Sequence, residues 1–292
     1  MKTLKQLLSK PHPHWVGDGF HVYPVLNEVA FTSSVSPFLM LDYGAPKNFP
    51  PTTKKLGVGQ HPHRGFETVT IAYQGEVEHG DSVGHRDVIG PGDVQWMTAA
   101  SGIIHEEFHS TEFAKNGGVF EMVQLWVNLP ARHKMDPPKY QPILSRDIPV
   151  VDLDESGSKA KIIAGDFNGV GGTASTHTPI NMWDISLKAH NRVTLPVPSG
   201  HNTILLLRSG SVLLKDDDGS STNLRAPQVA LLSIDGESCL LEAASEDADI
   251  LVLSGTPIDE PIAARGPFVM NTQKELQKAM ADYHSGQLGQ HF

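Results

Sequence analysis

Short apolar runs, each ended by glycine or proline, fill most of this chain. TVTIAY at residues 68–73 and VFEMVQLWVNL at residues 119–129 are examples, and the 292 residues include 27 glycines and 21 prolines. Runs of this length between turn residues are typical of β-strands. Apolar residues at helical spacing are scarce before the C-terminus. The pattern therefore predicts an all-β sandwich or barrel.

The second half of the chain repeats the pattern of the first. IAYQGEV at residues 71–77 aligns with LLRSGSV at residues 206–212, which sets Gly75 opposite Gly210 at an offset of 135 positions. The same offset sets GDVQWM opposite PQVALL, a second turn followed by a strand. We therefore predict two similar domains, residues 1–135 and residues 136–292, with the boundary in a proline-rich strap at residues 131–142.

Two pairs of candidate metal ligands lie in the first half. His61 and His63 are two positions apart, and His105 and Glu107 repeat that spacing after a glycine-rich interval. Residues two apart on a strand point to the same face, so each pair aims two donor groups in one direction. Two such strands side by side would build a metal site from three imidazoles and a carboxylate.

This donor set narrows the chemistry. It leaves one or two positions open on a five- or six-coordinate divalent ion, as in non-haem iron oxygenases and unlike closed structural zinc sites. A thiolate site is excluded, because Cys239 is the only cysteine. We expect an open, redox-capable centre; the alternative is that the four residues are ordinary core or surface residues. A further His-x-His, His12 with His14, is expected to be a solvated terminal segment.

Longer strings around these residues resemble a known family. HPHRGFETVTIAYQG (residues 61–75) and PGDVQWMTAASGIIHEE (residues 91–107) look like the two cupin motifs in their pirin form. QLWVNLP (residues 124–130) and GTPIDEPIAARGPFVMNT (residues 255–272) are similar to further pirin signatures. The resemblance implies an all-β fold of two tandem cupin (jelly-roll-like) barrels with a short C-terminal helix.

The resemblance also implies the ligands and the metal. The four implied ligands are His61, His63, His105 and Glu107. The implied cofactor is one mononuclear divalent ion, in the first place Fe(II), with manganese, cobalt, nickel, copper and zinc left open. Glu67 is the rival carboxylate, because other cupins take that ligand from the first motif and because Glu67 shares strand parity with the first histidine pair. Glu107 and Glu67 are also the candidate proton acceptors in catalysis.

The second domain should lack this site. The offset of 135 sets Pro196 and Pro198 opposite the first histidine pair, and Leu240, or Cys239 after a one-residue slip, opposite His105. We therefore expect a cupin fold there without metal ligands.

The resemblance implies quercetin 2,3-dioxygenation, in which dioxygen opens the central ring of a flavonol and carbon monoxide is released. An alternative is a redox-sensing, metal-binding regulator that acts through a protein partner in transcription or metabolism. A basic patch beside the metal would favour it, and the candidate residues are Lys54, Lys55, Arg64 and Arg86. A third alternative is a metal-binding scaffold without turnover.

Charge and hydropathy limit the partners and the location. The formal net charge of −10 argues against direct nucleic-acid binding, because such binding depends on Lys and Arg neutralising phosphates. Neither a signal-length apolar run before Pro11 nor a stretch of about eighteen apolar residues is present. We expect a cytoplasmic protein that does not enter a membrane.

Other residues near the two pairs receive simpler interpretations. His79, His85 and His109 are off the two-residue pattern and are expected to be loop histidines. Trp96 and Met97 either wall the metal pocket or belong to the barrel core. The C-terminal helix should start at a capping box, with Asn271 or Thr272 as the cap and Glu275 as its partner, and should stop at Gly286.

Overall fold

The computed structural model describes residues 1–289; residues 290–292, the end of the predicted second domain, lie outside the described residues. The elements of the first half are β1 (Leu4–Leu7), β2 (His14–Val16), β3 (Phe20–Pro24), β4 (Phe38–Phe49), β5 (Gly57–His63), β6 (Phe66–Gln74), β7 (Val77–Asp81), β8 (Arg86–Ile89), β9 (Val94–Thr98), β10 (Ile103–His109), α1 (Thr111–Asn116), β11 (Gly118–Asn128) and β12 (Lys139–Ile143).

The elements of the second half are β13 (Val150–Asp152), β14 (Lys159–Ala164), β15 (Asp166–Phe167), β16 (Val170–Gly171), β17 (Ile180–Leu187), β18 (Arg192–Leu195), β19 (Asn202–Ser209), β20 (Ser211–Lys215), β21 (Ser221–Arg225), β22 (Gln228–Leu232), β23 (Cys239–Ala243), β24 (Ala248–Gly255), β25 (Ala263–Arg265), β26 (Phe268–Met270) and α2 (Gln273–His284). Short 3-10 turns lie at Ala131–His133 and Ser145–Asp147.

Contacts along the chain define two compact units. The first-half unit comprises residues 11–27, 38–145 and 258 onwards; the second-half unit comprises residues 1–10, 28–37 and 146–257. Each unit is thus assembled from more than one segment. The division into residues 1–135 and 136–292 stays a prediction.

The two units share one architecture. The first-half unit has a seven-stranded sheet, β12-β9-β6-β11-β4-β3-β2, and a four-stranded sheet, β5-β10-β7-β8. The second-half unit has the corresponding sheets β1-β22-β19-β24-β17-β14-β13 and β18-β23-β20-β21. Gly75 and Gly210 occupy matching turns with φ of 78° and 72°, a conformation that favours glycine. The all-β prediction and the internal repeat are confirmed.

The second-half unit has an aliphatic core. On the strands that correspond to β5 and β10, Leu195 lies opposite Cys239, and both side chains are fully buried in that core. Burial raises the pKa of the Cys239 thiol to about 12, so the thiol stays protonated. These strands therefore supply apolar side chains at the positions where the first-half unit has histidines.

The C-terminal helix has the predicted capping box. Thr272 Oγ1 accepts a hydrogen bond from the backbone N–H of Glu275 at 3.2 Å, and Glu275 Oε2 accepts one from the backbone N–H of Asn271 at 3.1 Å. The helix ends just before Gly286, which has φ of 76°. Its buried face packs on the first-half unit through Leu276 and other apolar residues. Within residues 1–289, neither helix has the length and hydropathy that a bilayer-spanning segment requires.

Two local features depart from the sequence analysis. The predicted strap at residues 131–142 is a 3-10 turn followed by β12, which extends the seven-stranded sheet next to β9. The helix α1 was not predicted, because six residues are too few to show a helical period. Ser110 caps α1 by accepting a hydrogen bond from the backbone N–H of Phe113 at 2.9 Å.

Candidate metal centre

Three imidazoles converge at one point of the first-half unit. The strands β5 and β10 are antiparallel neighbours, and His61 lies directly opposite His105. One ring nitrogen from each of His61, His63 and His105 lies within 4.8 Å of the other two. The two strands therefore lie side by side, and three of the four predicted ligands come together.

The hydrogen bonding of these rings fits a metal ion. His105 is completely buried, and within residues 1–289 neither of its ring nitrogens has a hydrogen-bond partner. A buried polar atom without a partner costs about 1–3 kcal/mol, so a ligand is expected there. His61 Nδ1 and His63 Nδ1 lie 2.8 Å and 3.4 Å from the carbonyl oxygens of Gly59 and Pro267. These contacts leave the Nε2 atoms of both rings for the cluster.

Burial keeps the inner imidazoles neutral. Loss of solvent lowers the pKa of His63 and of His105 well below the ordinary histidine value, and the charge of His61 lowers both further. Metals bind the neutral imidazole, so no proton has to be displaced from these two rings near neutral pH. His63 and His105 are therefore in the protonation state that binds a metal.

Glu107 lies beside the three histidines and shares the buried face of β10 with His105. Its carboxylate accepts hydrogen bonds from Thr70 Oγ1 at 3.3 Å and from Gln124 Nε2 at 2.9 Å. Its oxygen groups within 4.8 Å with nitrogens of His79 and His105, and not with the three-histidine group. The cluster of histidines and a carboxylate suggests a mononuclear metal site.

Glu67 does not lie on the same strand as His61 and His63. The prediction that it shares their strand parity is therefore wrong. Gly65 turns the chain with φ of 90°, and this turn resets the alternation of faces. His61 and His63 lie on β5 of the four-stranded sheet, whereas Glu67 lies on β6 of the seven-stranded sheet. The Glu67 carboxylate is buried and accepts a hydrogen bond from Thr98 Oγ1 at 2.7 Å.

His79, expected in a loop, is a buried residue of β7 next to His105. Its Nε2 lies 3.2 Å from Asp81 Oδ2 and its Nδ1 lies 2.7 Å from Gln95 Nε2. Asp81 Oδ2 also contacts His85 Nδ1 at 3.0 Å. His79 and Asp81 are two positions apart, so the spacing that identified the other pairs could have identified this one.

The other two histidines differ from each other. His85 lies in the turn between β7 and β8, as predicted, and its side chain is half exposed. His109, also expected in a loop, ends β10, where it is buried against aromatic rings and its Nε2 lies 2.9 Å from the carbonyl oxygen of Gly19. It contributes to packing rather than to the metal cluster.

A cavity of about 300 Å³ opens beside the cluster. Its walls include alternate residues of neighbouring strands, such as Met40 and Asp42 on β4 and Gln124 and Trp126 on β11. His61, His63 and Glu107 also line it, and most other lining residues are apolar. Such a cavity suits a small, mainly apolar ligand held by a few polar groups.

Trp96 and Met97 belong to the barrel core. Both are fully buried on β9, and Met97 packs with Ala99 and Ile103 in an apolar cluster. Neither is among the residues that line the cavity. Of the two interpretations left open by the sequence, the core is therefore the one observed.

The basic residues that were candidates for a surface patch have acidic partners. Arg64 is buried, and its Nη1 lies 2.8 Å from Asp282 Oδ2. Lys55 Nζ and Arg86 Nη1 lie 3.5 Å and 3.4 Å from the same oxygen, Glu106 Oε1. Three of the four candidate charges are thus compensated by carboxylates.

Asp42 gives the stability of the protein a pH dependence of definite sign. Burial raises the pKa of Asp42 from 3.8 to about 7, so the folded state keeps a proton that the unfolded state loses. Its contribution to stability is full below pH 4 and is lost as the pH rises to about 7. We predict that the unfolding free energy of Asp42→Asn, measured relative to that of the wild type, increases by about 2–3 kcal/mol as the pH rises from 5 to 8.

Urea unfolding of both metal-free proteins at these two pH values measures the difference. A difference in unfolding free energy that does not change with pH would contradict the prediction.

Comparison with known proteins identifies the family. Residues 19–127 match the Pirin family model, and residues 182–289 match the model of the Pirin C-terminal cupin domain. This chain belongs to the pirin family. Pirin membership also agrees with the two-sheet cupin architecture of each unit.

Named relatives extend over the whole pirin chain. A protein of Pseudomonas aeruginosa named "Putative quercetin 2,3-dioxygenase" is 49% identical, and the match covers 98% of both chains. The crystal structure of a quercetin 2,3-dioxygenase from Acinetobacter baumannii is 50% identical with a TM-score of 0.94, and covers all of both chains. A bacterial pirin from Escherichia coli, solved in complex with nickel(II), is 16% identical with a TM-score of 0.65 over 87% of this chain and 99% of its own. That last likeness shows the fold alone.

Proposed function

We propose that this pirin is a metal-dependent dioxygenase that opens the flavonol ring of quercetin-type substrates, with iron as its metal. The observation that supports it is the cluster of His61, His63 and His105 on the wall of a mainly apolar cavity, with the nitrogens of His105 unpaired in the described chain. The names of the relatives with about half of their residues identical supply the substrate class.

The three imidazoles would hold the ion through their neutral nitrogens, and Glu107 would add a carboxylate from the same strand as His105. This donor set suits Fe(II) and leaves manganese, cobalt, nickel, copper and zinc as other metals to test. A bound redox-active ion would acidify the 3-hydroxyl of the flavonol and allow dioxygen to react with the electron-rich ring.

The protein groups bind, orient and deprotonate the substrate. The apolar walls, including Met40 and Trp126, enclose the aromatic rings and exclude water from them. Glu107 is the proton acceptor for the 3-hydroxyl, because it lines the cavity and its two oxygens are oriented by Thr70 and Gln124. Glu67 is not among the cavity-lining residues, which favours Glu107 of the two candidate acceptors.

Oxygen uptake tests this proposal. The protein is reconstituted with Fe(II) under anaerobic conditions, and quercetin and dioxygen are then added. We expect one dioxygen consumed and one carbon monoxide released per quercetin, with both lost in His63→Ala and both retained in His14→Ala, which alters an exposed histidine. One bound metal per chain with no oxygen uptake would refute the dioxygenase and leave a metal-binding scaffold.

The regulatory alternative depended on a basic patch beside the metal. Arg64, Lys55 and Arg86 have carboxylate partners in the described part of the chain, so no observation favours that alternative. A protein partner and a cytoplasmic location stay predictions.

A further inference from the structure

Asp42 is a buried carboxyl group without a protein partner in the described chain. Its residue is 7% exposed, and within residues 1–289 its side chain makes no hydrogen bond or ion pair. Burying a carboxyl group in apolar surroundings costs free energy unless a partner compensates it. A group kept in this state therefore points to a partner that comes from outside the chain.

The other buried carboxylates of the first-half unit all have partners. These partners are Thr98 for Glu67, His79 and His85 for Asp81, Thr70 and Gln124 for Glu107, Tyr43 and Gln74 for Glu121, and Arg64 and Lys278 for Asp282. Asp42 is the exception among the buried acidic residues of this unit that the structure describes.

The unpaired carboxyl group of Asp42 belongs to the wall of the proposed substrate cavity. Asp42 lines the cavity together with Met40, the residue two positions earlier on the same face of β4. Directly opposite it on β11 is Gln124, and the Cβ atoms of such cross-strand neighbours are about 5 Å apart. Gln124 Nε2 in turn donates to Glu107 Oε2 at 2.9 Å. The side chain of Gln124 therefore lies between Asp42 and Glu107, the carboxylate beside the metal cluster.

Its surroundings on this wall are apolar. Met40 lies opposite Trp126 in the same strand pair, and Met122 lies two residues before Gln124 on β11. A hydrophobic wall with one carboxyl group has little affinity of its own for water-soluble anions. It suits an aromatic ring that carries a hydrogen-bond donor.

We propose that Asp42 is a specificity residue that accepts a hydrogen bond from a ring hydroxyl of the aromatic substrate, other than the hydroxyl directed to the metal. This inference rests on the proposed function, with its flavonol-type substrate, and specifies which flavonols the cavity selects. Polyhydroxylated flavonols satisfy the buried carboxyl group. A flavonol with no second hydroxyl leaves it unpaired and binds more weakly.

Binding of two flavonols to the Fe(II)-loaded protein without dioxygen tests the inference. The probes are quercetin and 3-hydroxyflavone, which has only the metal-directed hydroxyl. We expect the wild type to bind quercetin at least about tenfold more tightly than 3-hydroxyflavone, because the buried acceptor finds a hydrogen-bond donor in only one of the two ligands. In Asp42→Leu this preference should fall to about onefold, because quercetin loses its acceptor while 3-hydroxyflavone loses nothing. Asp42→Asn, nearly isosteric with aspartate, should give an intermediate ratio and guards against misfolding of the leucine variant.

Asp259→Leu is the matched control, since it makes the same substitution at an exposed aspartate of the same unit, outside the cavity, and should keep the wild-type ratio. A ratio that is unchanged in both Asp42 variants, or a wild type without preference, would overturn the inference. Oxygen uptake tests the proposed function separately. If the Asp42 variants lose the preference for quercetin but the wild type consumes no dioxygen, the dioxygenase is refuted and Asp42 remains a specificity residue. If the wild type consumes dioxygen but the Asp42 variants keep the binding ratio, the dioxygenase is supported and the role of Asp42 is refuted. If neither flavonol binds, both proposals are overturned.

Discussion

Replacing His105 with alanine is expected to abolish stoichiometric metal binding. His105 is the completely buried member of the three-histidine group, and both of its nitrogens lack protein partners in the described chain. Loss of a residue that only supports a metal ligand typically costs about 10–100-fold in affinity, so loss of this ligand should cost more than about 100-fold. Dialysis after anaerobic Fe(II) loading, followed by metal analysis, measures the effect.

His14→Ala is the control for this experiment, because it removes an exposed histidine from the same unit. It should keep one metal per chain. If His105→Ala also kept a full metal complement while remaining folded, the ligand assignment would be refuted.

The second large effect concerns stability. Asp282→Ala is expected to destabilise the first-half unit by about 3–5 kcal/mol, because it leaves the guanidinium of Arg64 buried without its charge partner. The side chain of Arg64 is only 5% exposed, so water cannot replace the lost carboxylate. The same ion pair joins α2 to the residue that follows His63, so the expected loss reaches the metal cluster. Chemical unfolding of the metal-free protein measures the change in free energy.

Lys278→Ala is the matched comparison. Lys278 Nζ lies 2.9 Å from the same Asp282 oxygen, but its side chain is 64% exposed. Exposed ion pairs contribute less than about 1 kcal/mol. Equal effects of the two substitutions would show that the buried Arg64 pair is not what stabilises this region.

Local periodicity predicted the parts of the site that lie on regular strands. The two-residue spacing of His61 and His63, and of His105 and Glu107, is a property of a pleated strand, and β5 and β10 do pair side by side. The capping box of α2 is likewise a local pattern that the structure confirms. The ligand spacing and the capping box both involve residues that are close together in sequence, so a single sequence is enough to predict them.

The failures arose where one residue changes the local geometry. Gly65 turns the chain, so Glu67 belongs to another sheet even though simple counting puts it in phase with His63. His79 was assigned to a loop because it is off the two-residue pattern of the histidine pairs, yet it lies on the strand β7. Tertiary context decides such strand boundaries.

Other features depend on residues distant in sequence. Arg64 and Asp282 are 218 positions apart, and no local pattern links them. Asp42 did leave a signal, since it is a lone acidic residue in the apolar run PFLMLDYG. Its meaning appears only when β4 and β11 set it opposite Gln124 in the cavity wall.

The most direct test of the metal centre is anomalous diffraction at the iron absorption edge from anaerobic, Fe(II)-loaded crystals. We predict one anomalous peak per chain, with nitrogens of His61, His63 and His105 each about 2.1 Å away, as for other divalent first-row ions. A peak bound elsewhere, or no peak in crystals shown to contain iron, would contradict the assignment of this cluster as the metal centre.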